Sequence, residues 1–289
     1  MRRHYIVQKK IVISIFVLIL SLTLVVACQE DQTDDTIEIG YNQWAENIAV
    51  SNMWKILLED QGYDVELVDV EKAVLFSGVA QGDLDIGMEV WIPYTDRYYI
   101  DEYGDDFDIQ DTWYEGADLG LVVPEYMEVD SIDELSEYRD ELDGEIIGID
   151  AGASIMDMTQ DTIEEYDLDF NLIDSSEAGM MSELDNRYSD EEPIVVTLWS
   201  PHWAFAEYDL KYLDDPVLSY GEADNIVFIT RDNFENDQEE VLNWMNDWEM
   251  DDESLGELMS VIKELDDPVE GAQQWIDDNE ELVEEWLNE

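Results

Sequence analysis

The sequence predicts an α/β protein built of two lobes with a cleft between them. Three observations carry this expectation. Strand and helix patterns alternate over residues 37–86, the order that builds a parallel sheet covered by helices. The same alternation restarts at Leu119. A last strand pattern, Asn225–Ile229, is followed by helical patterns alone, as expected of a chain that returns to its first lobe. At 289 residues there is room for about two domains.

In the first lobe Ile37-Glu38-Ile39-Gly40-Tyr41 reads as a short strand. Ala49/Val50, Met53/Trp54 and Leu57/Leu58 then recur at helical spacing, and Gly62 ends the helix. Tyr63–Val70 alternates through Val65 and Leu67 and reads as the second strand. A short helix around Val74–Ala80 leads into Gly82-Asp83-Leu84-Asp85-Ile86, a turn into a third strand. In the second lobe Leu119–Val123 is a buried strand ended by Pro124. Ile146–Ile149 is another, opening at Gly152 into a helix near Ile155–Tyr166. Phe170–Ile173, a helix over Ala178–Tyr188 and the strand Pro193–Leu198 complete the repeat. Beyond residue 234, Val241/Trp244/Trp248, Leu255/Met259/Ile262 and Val283/Trp286 fall on helical faces. The chain is expected to cross between lobes near 119–124 and 224–231. That gives a first lobe over 37–120, a second over 121–228, and a C-terminal return over 229–289, with its helices on the first lobe.

The N-terminus has a different physical character. Arg2, Arg3, Lys9 and Lys10 precede an apolar run, Ile11–Leu22. Val25-Val26-Ala27-Cys28 follows, then polar Gln29-Glu30-Asp31-Gln32. Residues 1–28, His4 included, read as a secretory signal segment, and 29–36 as a polar tether. Cys28 is the single cysteine, so no internal disulfide can form. The segment resembles a bacterial lipoprotein signal, which implies lipidation of Cys28. The alternative is an uncleaved anchor. Both place the domain outside the cytoplasm and tethered to the cell membrane.

Charge excludes one large class of partner. Four of the 12 basic residues lie in the first ten positions and every acid lies at or after Glu30. From residue 11 onward, 8 bases therefore face 76 acids. No basic surface exists to meet nucleic-acid phosphates. A 45% hydrophobic content with 10 Trp, 15 Tyr and 7 Phe is far too apolar for a disordered acidic chain. Self-repulsion of this size strains a compact fold in dilute buffer. At molar salt the Debye length falls to about 3 Å and the repulsion is screened. The composition reads as adaptation to a high-salt medium; solubility alone does not need so large an excess.

Three tryptophans occupy equivalent places where strands open into loops: Trp44, Trp91 and Trp199. One alone would be core packing; three facing one cleft suggest a cage. Aromatic cages bind quaternary ammonium groups, whose charge is spread over methyls and which have no N–H for a carboxylate. Gly148-Ile149-Asp150-Ala151-Gly152-Ala153-Ser154-Ile155-Met156 runs from a strand through small residues into a helix. Free amides at such a helix start suit an anion, though any tight βα turn looks similar. Cage and anion pocket together would select a small zwitterion.

These segments carry a family resemblance. Gly-Tyr-Asn-Gln-Trp (40–44), Gly-Asp-Leu-Asp-Ile (82–86), Trp-Ile-Pro-Tyr-Thr (91–95), Leu-Gly-Leu-Val-Val-Pro (119–124), the 148–156 loop, Trp-Ser-Pro-His-Trp (199–203) and Leu-Lys-Tyr-Leu-Asp-Asp-Pro (210–216) resemble the glycine betaine-binding proteins of bacterial ABC importers. The resemblance covers nearly all of 37–289. It implies a type II periplasmic-binding-protein fold, a partner permease with a cytoplasmic ATPase, and a role in osmoprotection. It implies no cofactor, metal or catalysis. By resemblance Trp44, Trp91 and Trp199 box the trimethylammonium group, and the backbone amides of Ser154 and Ile155 hold the carboxylate. Two positions depart from the family pattern. Ser154 stands where relatives often carry Gly. Asp96 stands where they often carry a carboxylate-binding His. An ionised Asp96 must point away, act through water, or be compensated by Arg97. It also raises choline, which has no carboxylate, as the alternative ligand. His202 is expected to hold the loop that positions Trp199 and Trp203.

Rival classes fare worse. An enzyme would have one usable His, no usable Cys and no Gly-rich phosphate loop. Calcium binding by runs such as Asp251-Asp252-Glu253 lacks the 12-residue loop with its central Gly. The charge reading is tested by melting the domain in dilute and in molar salt. The melting temperature should rise steeply with salt; indifference to salt would defeat the high-salt reading.

Overall fold

The computed structural model describes residues 36–287. The signal segment, Cys28 and nearly all of the expected tether lie outside the described residues. Among the described residues no helix is long and apolar enough to cross a membrane.

The first lobe begins with β1 (Thr36–Tyr41), whose Ile37 and Ile39 turn into the core, and α1 (Ala45–Asp60). Strand β2 (Asp64–Asp69) pairs parallel to β1. Helix α2 (Lys72–Gln81) stops at Gly82, whose φ of 75° is the left-handed cap that glycine supplies without strain. The chain then enters β3 (Ile86–Ile92), buried along almost its whole length. A short α3 (Arg97–Tyr103) follows.

The 18-residue strand β4 (Phe107–Pro124) joins the lobes. Phe107–Ala117 pairs antiparallel with β9 (Asp224–Arg231), and β9 pairs with β3. From Asp118 onward β4 instead pairs with β7 (Val196–Ser200). The first sheet therefore has the order β2-β1-β3-β9-β4.

The second lobe contains β5 (Glu145–Ile147), α4 (Ser154–Glu165), β6 (Asn171–Ile173), α5 (Glu177–Ser189), β7, a short α6 (Ala204–Glu207) and β8 (Leu210–Tyr212). Its sheet runs β4-β7-β5-β6, with β8 on β4. The exchange points lie at Ala117/Asp118 and just before Asp224, a few residues ahead of those expected from the sequence. The first half of β4 was not anticipated, because Phe-Asp-Ile-Gln-Asp-Thr is interrupted by acids and the strand carries register shifts between Ile109 and Ala117.

After β9 come α7 (Phe234–Asp237), α8 (Glu239–Asn246), α9 (Asp252–Leu265), α10 (Pro268–Asp278) and α11 (Glu280–Leu287). Helices α9 and α10 pack on α1 and so on the first lobe. Asp251 caps α9 through the Ser254 amide and Asp267 caps α10 through the Val269 and Glu270 amides. Tryptophans not at the cleft build this lobe's core. Trp113 stacks on Trp248 with centroids 4.5 Å apart, and Trp54 meets Trp248 edge-on at 5.5 Å. Trp113 also donates to the Met88 carbonyl at 3.0 Å, tying β4 to β3. Trp248→Ala should cost about 3–5 kcal/mol, as large-to-small core changes do. Chemical denaturation in molar salt checks this, and a loss under 1 kcal/mol (about fivefold) would mean the stack is not load-sharing.

Candidate functional site

The carboxyl ends of β1, β3, β5 and β7 meet at the junction between the lobes. They enclose a small cavity lined by residues of both lobes. Trp44, the residue before α1, lies on one wall; Trp91 ends β3; Trp199 is on β7. All three are buried and all three line the cavity. Trp44 and Trp199 come from different lobes, with centroids 6.2 Å apart and planes tilted by 58°. Leu119, Ile149 and Ile155 complete an apolar lining.

The start of α4 forms another part of the wall. Ser154 and Ile155 line the same cavity. Their amides are the first of the helix, where no preceding turn supplies an acceptor. Ala153 precedes the helix without a side-chain cap, so no capping side chain occupies these donors.

The two departures from the family pattern turn out to be one local arrangement. Asp96 is fully buried and faces protein donors. Its Oδ2 accepts from the Trp91 amide at 2.8 Å and lies 2.9 Å from the Lys72 ammonium. Its Oδ1 accepts from the Ser154 hydroxyl at 2.7 Å, across the cleft. Arg97, one of the three expected ways of accommodating Asp96, is exposed and lies 3.7 Å from Asp101. Lys72, the first residue of α2, takes the role of compensating cation; it was missed because it sits in an apolar helix pattern. Lys72 is itself buried, donates to the Glu89 carbonyl at 2.9 Å, and stands 5.0 Å from the Trp44 ring centroid. The loop between Trp91 and Asp96 is held from below by Asp224, which accepts from the Tyr94 and Thr95 amides and the Thr95 hydroxyl.

His202 is buried and lies 5.1 Å edge-on from Trp199. Its Nδ1 accepts from the Ala204 amide at 3.0 Å, so its proton sits on Nε2, which donates to Glu177 at 3.2 Å. Glu177 also accepts from the Ala45 amide at 2.9 Å. His202 thus links the Trp199 loop to the start of α1 and to Trp44. Further hydrogen bonds cross the cleft from Trp44 Nε1 to Asp150 at 3.0 Å and from the Tyr99 hydroxyl to the Gly152 carbonyl at 3.2 Å. The lobes are described in a closed arrangement, with the cavity between them. Among the described residues no cluster of His, Cys, Asp or Glu is arranged to hold a metal ion.

The family described as the substrate binding domain of ABC-type glycine betaine transport systems matches residues 35–278. The chain belongs to this family. Among solved structures it is similar to lactococcal OpuAC in its closed form with glycine betaine, at 31% identity and a TM-score of 0.84, over 88% of this chain and 100% of that one. A glycine betaine/L-proline-binding protein from Borrelia burgdorferi matches at 33% identity and a TM-score of 0.85, over 88% and 97%. A choline-binding ABC-transporter protein in complex with choline matches at 25% identity and a TM-score of 0.82, over 89% and 93%. Among curated proteins the glycine betaine/carnitine transport binding protein GbuC of Listeria monocytogenes is 39% identical over 54% of this chain and 53% of its own length. The aligned stretch therefore spans about half of that relative. Neighbours in the family share the two-lobed type II periplasmic-binding-protein architecture found here.

The buried pair makes a direct prediction. Lys72→Met leaves Asp96 charged and unpaired, which should cost about 3–5 kcal/mol. Adding Asp96→Asn removes the stranded charge and should recover most of it. Equilibrium unfolding of the three proteins tests this; equal stability of single and double variants would mean the pair is not coupled.

Proposed function

We propose that this protein captures glycine betaine, or a closely related betaine, for an ABC importer, and does no chemistry on it. The observation that carries the reading is the convergence of Trp44, Trp91 and Trp199, from both lobes, on one cavity that also holds the Ser154 and Ile155 amides. Desolvated aromatic faces contribute up to about 2 kcal/mol each toward a cation. The helix-start amides and the positive end of the α4 dipole suit a carboxylate. The three tryptophans take the trimethylammonium group and the two amides take the carboxylate.

Closure is part of the binding. Trp44 is held to the second lobe by Asp150, and Ser154 to the first by Asp96. A ligand touching both walls favours the closed state, because those contacts do not exist when the lobes part. The closed form then docks on a permease coupled to an ATPase, and the imported betaine serves as an osmoprotectant. Lipidated Cys28 anchors the domain to the outer face of the cell membrane.

Choline is the second reading, favoured by Asp96 in the cavity wall and by the choline-binding neighbour. The Lys72 ion pair weakens it, since Asp96 is already satisfied by protein donors. Calorimetric titration in molar salt separates the two. Betaine should bind tightly and choline weakly; the reverse order would make this a choline carrier. Trp91→Ala or Trp199→Ala should weaken betaine binding at least tenfold, about 1.4 kcal/mol. Unchanged affinity in both variants would remove these residues from the site.

A further inference from the structure

The cavity wall holds two acids that the cage and the amides do not use. Glu46 lies in the first turn of α1, two residues after Trp44, and Glu89 lies on β3, two residues before Trp91. Both are completely buried and both line the cavity. Glu89 Oε1 accepts the Trp91 indole N–H at 2.5 Å, but its Oε2 has no partner. Neither oxygen of Glu46 makes a well-formed hydrogen bond, and neither does the Trp199 indole N–H, although the indole lies close enough to act on the carboxyl. Unpaired buried carboxylates are expensive, so their place at a cation site calls for a cause.

We propose that Glu46 is a proton-exchanging residue of the cage, which carries a proton in the ligand-free protein and gives it to solvent when a quaternary ammonium ion binds between the tryptophans. The inference rests on the proposed function above. Its geometry is a carboxyl buried behind the ring faces, with an acid neighbour on each side. Glu89 faces it from β3 and Glu177 from α5, while the Trp199 indole on β7 is the donor that favours its charged form. Lys72 on α2 and Asp96 before α3 act on Glu89, and His202 binds Glu177. Burial, then Glu89, then Glu177 push the Glu46 carboxyl well above the usual carboxylate range. Burial also raises Glu89, against the opposing pull of Lys72. Two adjacent buried acids share one proton, and Lys72 places the charge on Glu89 and the proton on Glu46.

A permanent cation on the cage reverses the balance. It puts a positive charge in the cavity that Glu46 lines and favours the ionised form. The ionised carboxylate is then a stronger acceptor for the nearby Trp199 N–H than the protonated form. Binding and proton release are thermodynamically linked. Affinity must therefore rise with pH, by at most about tenfold per unit for one proton, between the midpoints of the bound and free forms.

Calorimetry with glycine betaine in molar salt tests this in two ways. At fixed pH the binding heat should depend on the protonation enthalpy of the buffer, with the sign of proton release. As the pH is raised from the ordinary carboxylate range towards the alkaline side, the affinity should rise. Glu46→Gln should abolish both effects, binding like the natural protein at the acid end and more weakly at the alkaline end. A merely structural role would weaken binding equally at every pH. Glu89→Gln removes the like charge while keeping an acceptor for Trp91, and should move the rise to lower pH. Buffer-independent heat and flat affinity in the unaltered protein would overturn the inference even if Glu46→Gln fails to fold. An unchanged pH profile in a folded Glu46→Gln protein would overturn it as well. No heat from either betaine or choline would instead sink the reading of the site on which it rests.

Discussion

The closed cleft depends on one buried carboxylate. Asp96 collects the Lys72 ammonium, the Trp91 amide and the Ser154 hydroxyl. The first fixes α2 against the end of β3. The second fixes the backbone that carries a cage tryptophan. The third crosses to the other lobe. A buried ion pair of this kind adds little net stability over an apolar substitute, because desolvation offsets the Coulombic gain. Its value lies in direction. An apolar contact would tolerate sliding of one lobe on the other, whereas three charge-assisted hydrogen bonds to one carboxylate fix the register. Ser154 and Asp96 make sense as a pair: the hydroxyl that glycine would lack meets the acid that histidine would not supply.

Much of this was legible in the sequence, for identifiable reasons. Strands such as Ile37–Tyr41 and Asn225–Ile229 stood out because buried strands read as near-continuous apolar runs. The tryptophans stood out because a large ring at a strand end is rare, and three at equivalent ends are rarer. Ser154 and Ile155 were singled out by the family resemblance, and the small-residue turn into their helix stood out as well. The half-strand Phe107–Ala117 did not, since its acids and its register shifts hide the alternation.

The polar wall of the site was hidden for a different reason. In a chain with 76 acids, no individual Glu or Asp carries information by composition. Glu46 and Glu89 were invisible against that background although they are buried beside the cage. The signal that could have found them is neighbourhood: Met88-Glu89-Val90-Trp91 places an acid inside an apolar strand. Lys72 offered a stronger one. Only 8 bases follow residue 10, and one of them opens the apolar stretch Lys72-Ala73-Val74-Leu75-Phe76. A cation so placed has no solvent role to play and must answer a buried acid. Arg97, next to Asp96 in sequence, was the natural guess, but neighbours along a chain point apart at a helix start, and its side chain turns to solvent.

The two populations of acid in this molecule obey opposite physics. Those on the surface repel one another, and mobile ions screen them. Those behind the cage are shielded from salt by burial, so their interactions persist in molar salt while the surface field collapses. Asp150 and Glu89 accept the indole N–H groups of Trp44 and Trp91, and Glu46 lies by that of Trp199. An acceptor on the indole nitrogen draws its proton outward and leaves more electron density on the ring face, the quantity a cation senses. In the proposed cage the rings are thus prepared from behind, by Glu46 and Glu89 in full burial and by Asp150 in partial burial. In the proposed site, that separation lets a chain rich in surface acids set the strength of its cation contacts locally, chiefly by buried groups, and not by the field of the whole chain.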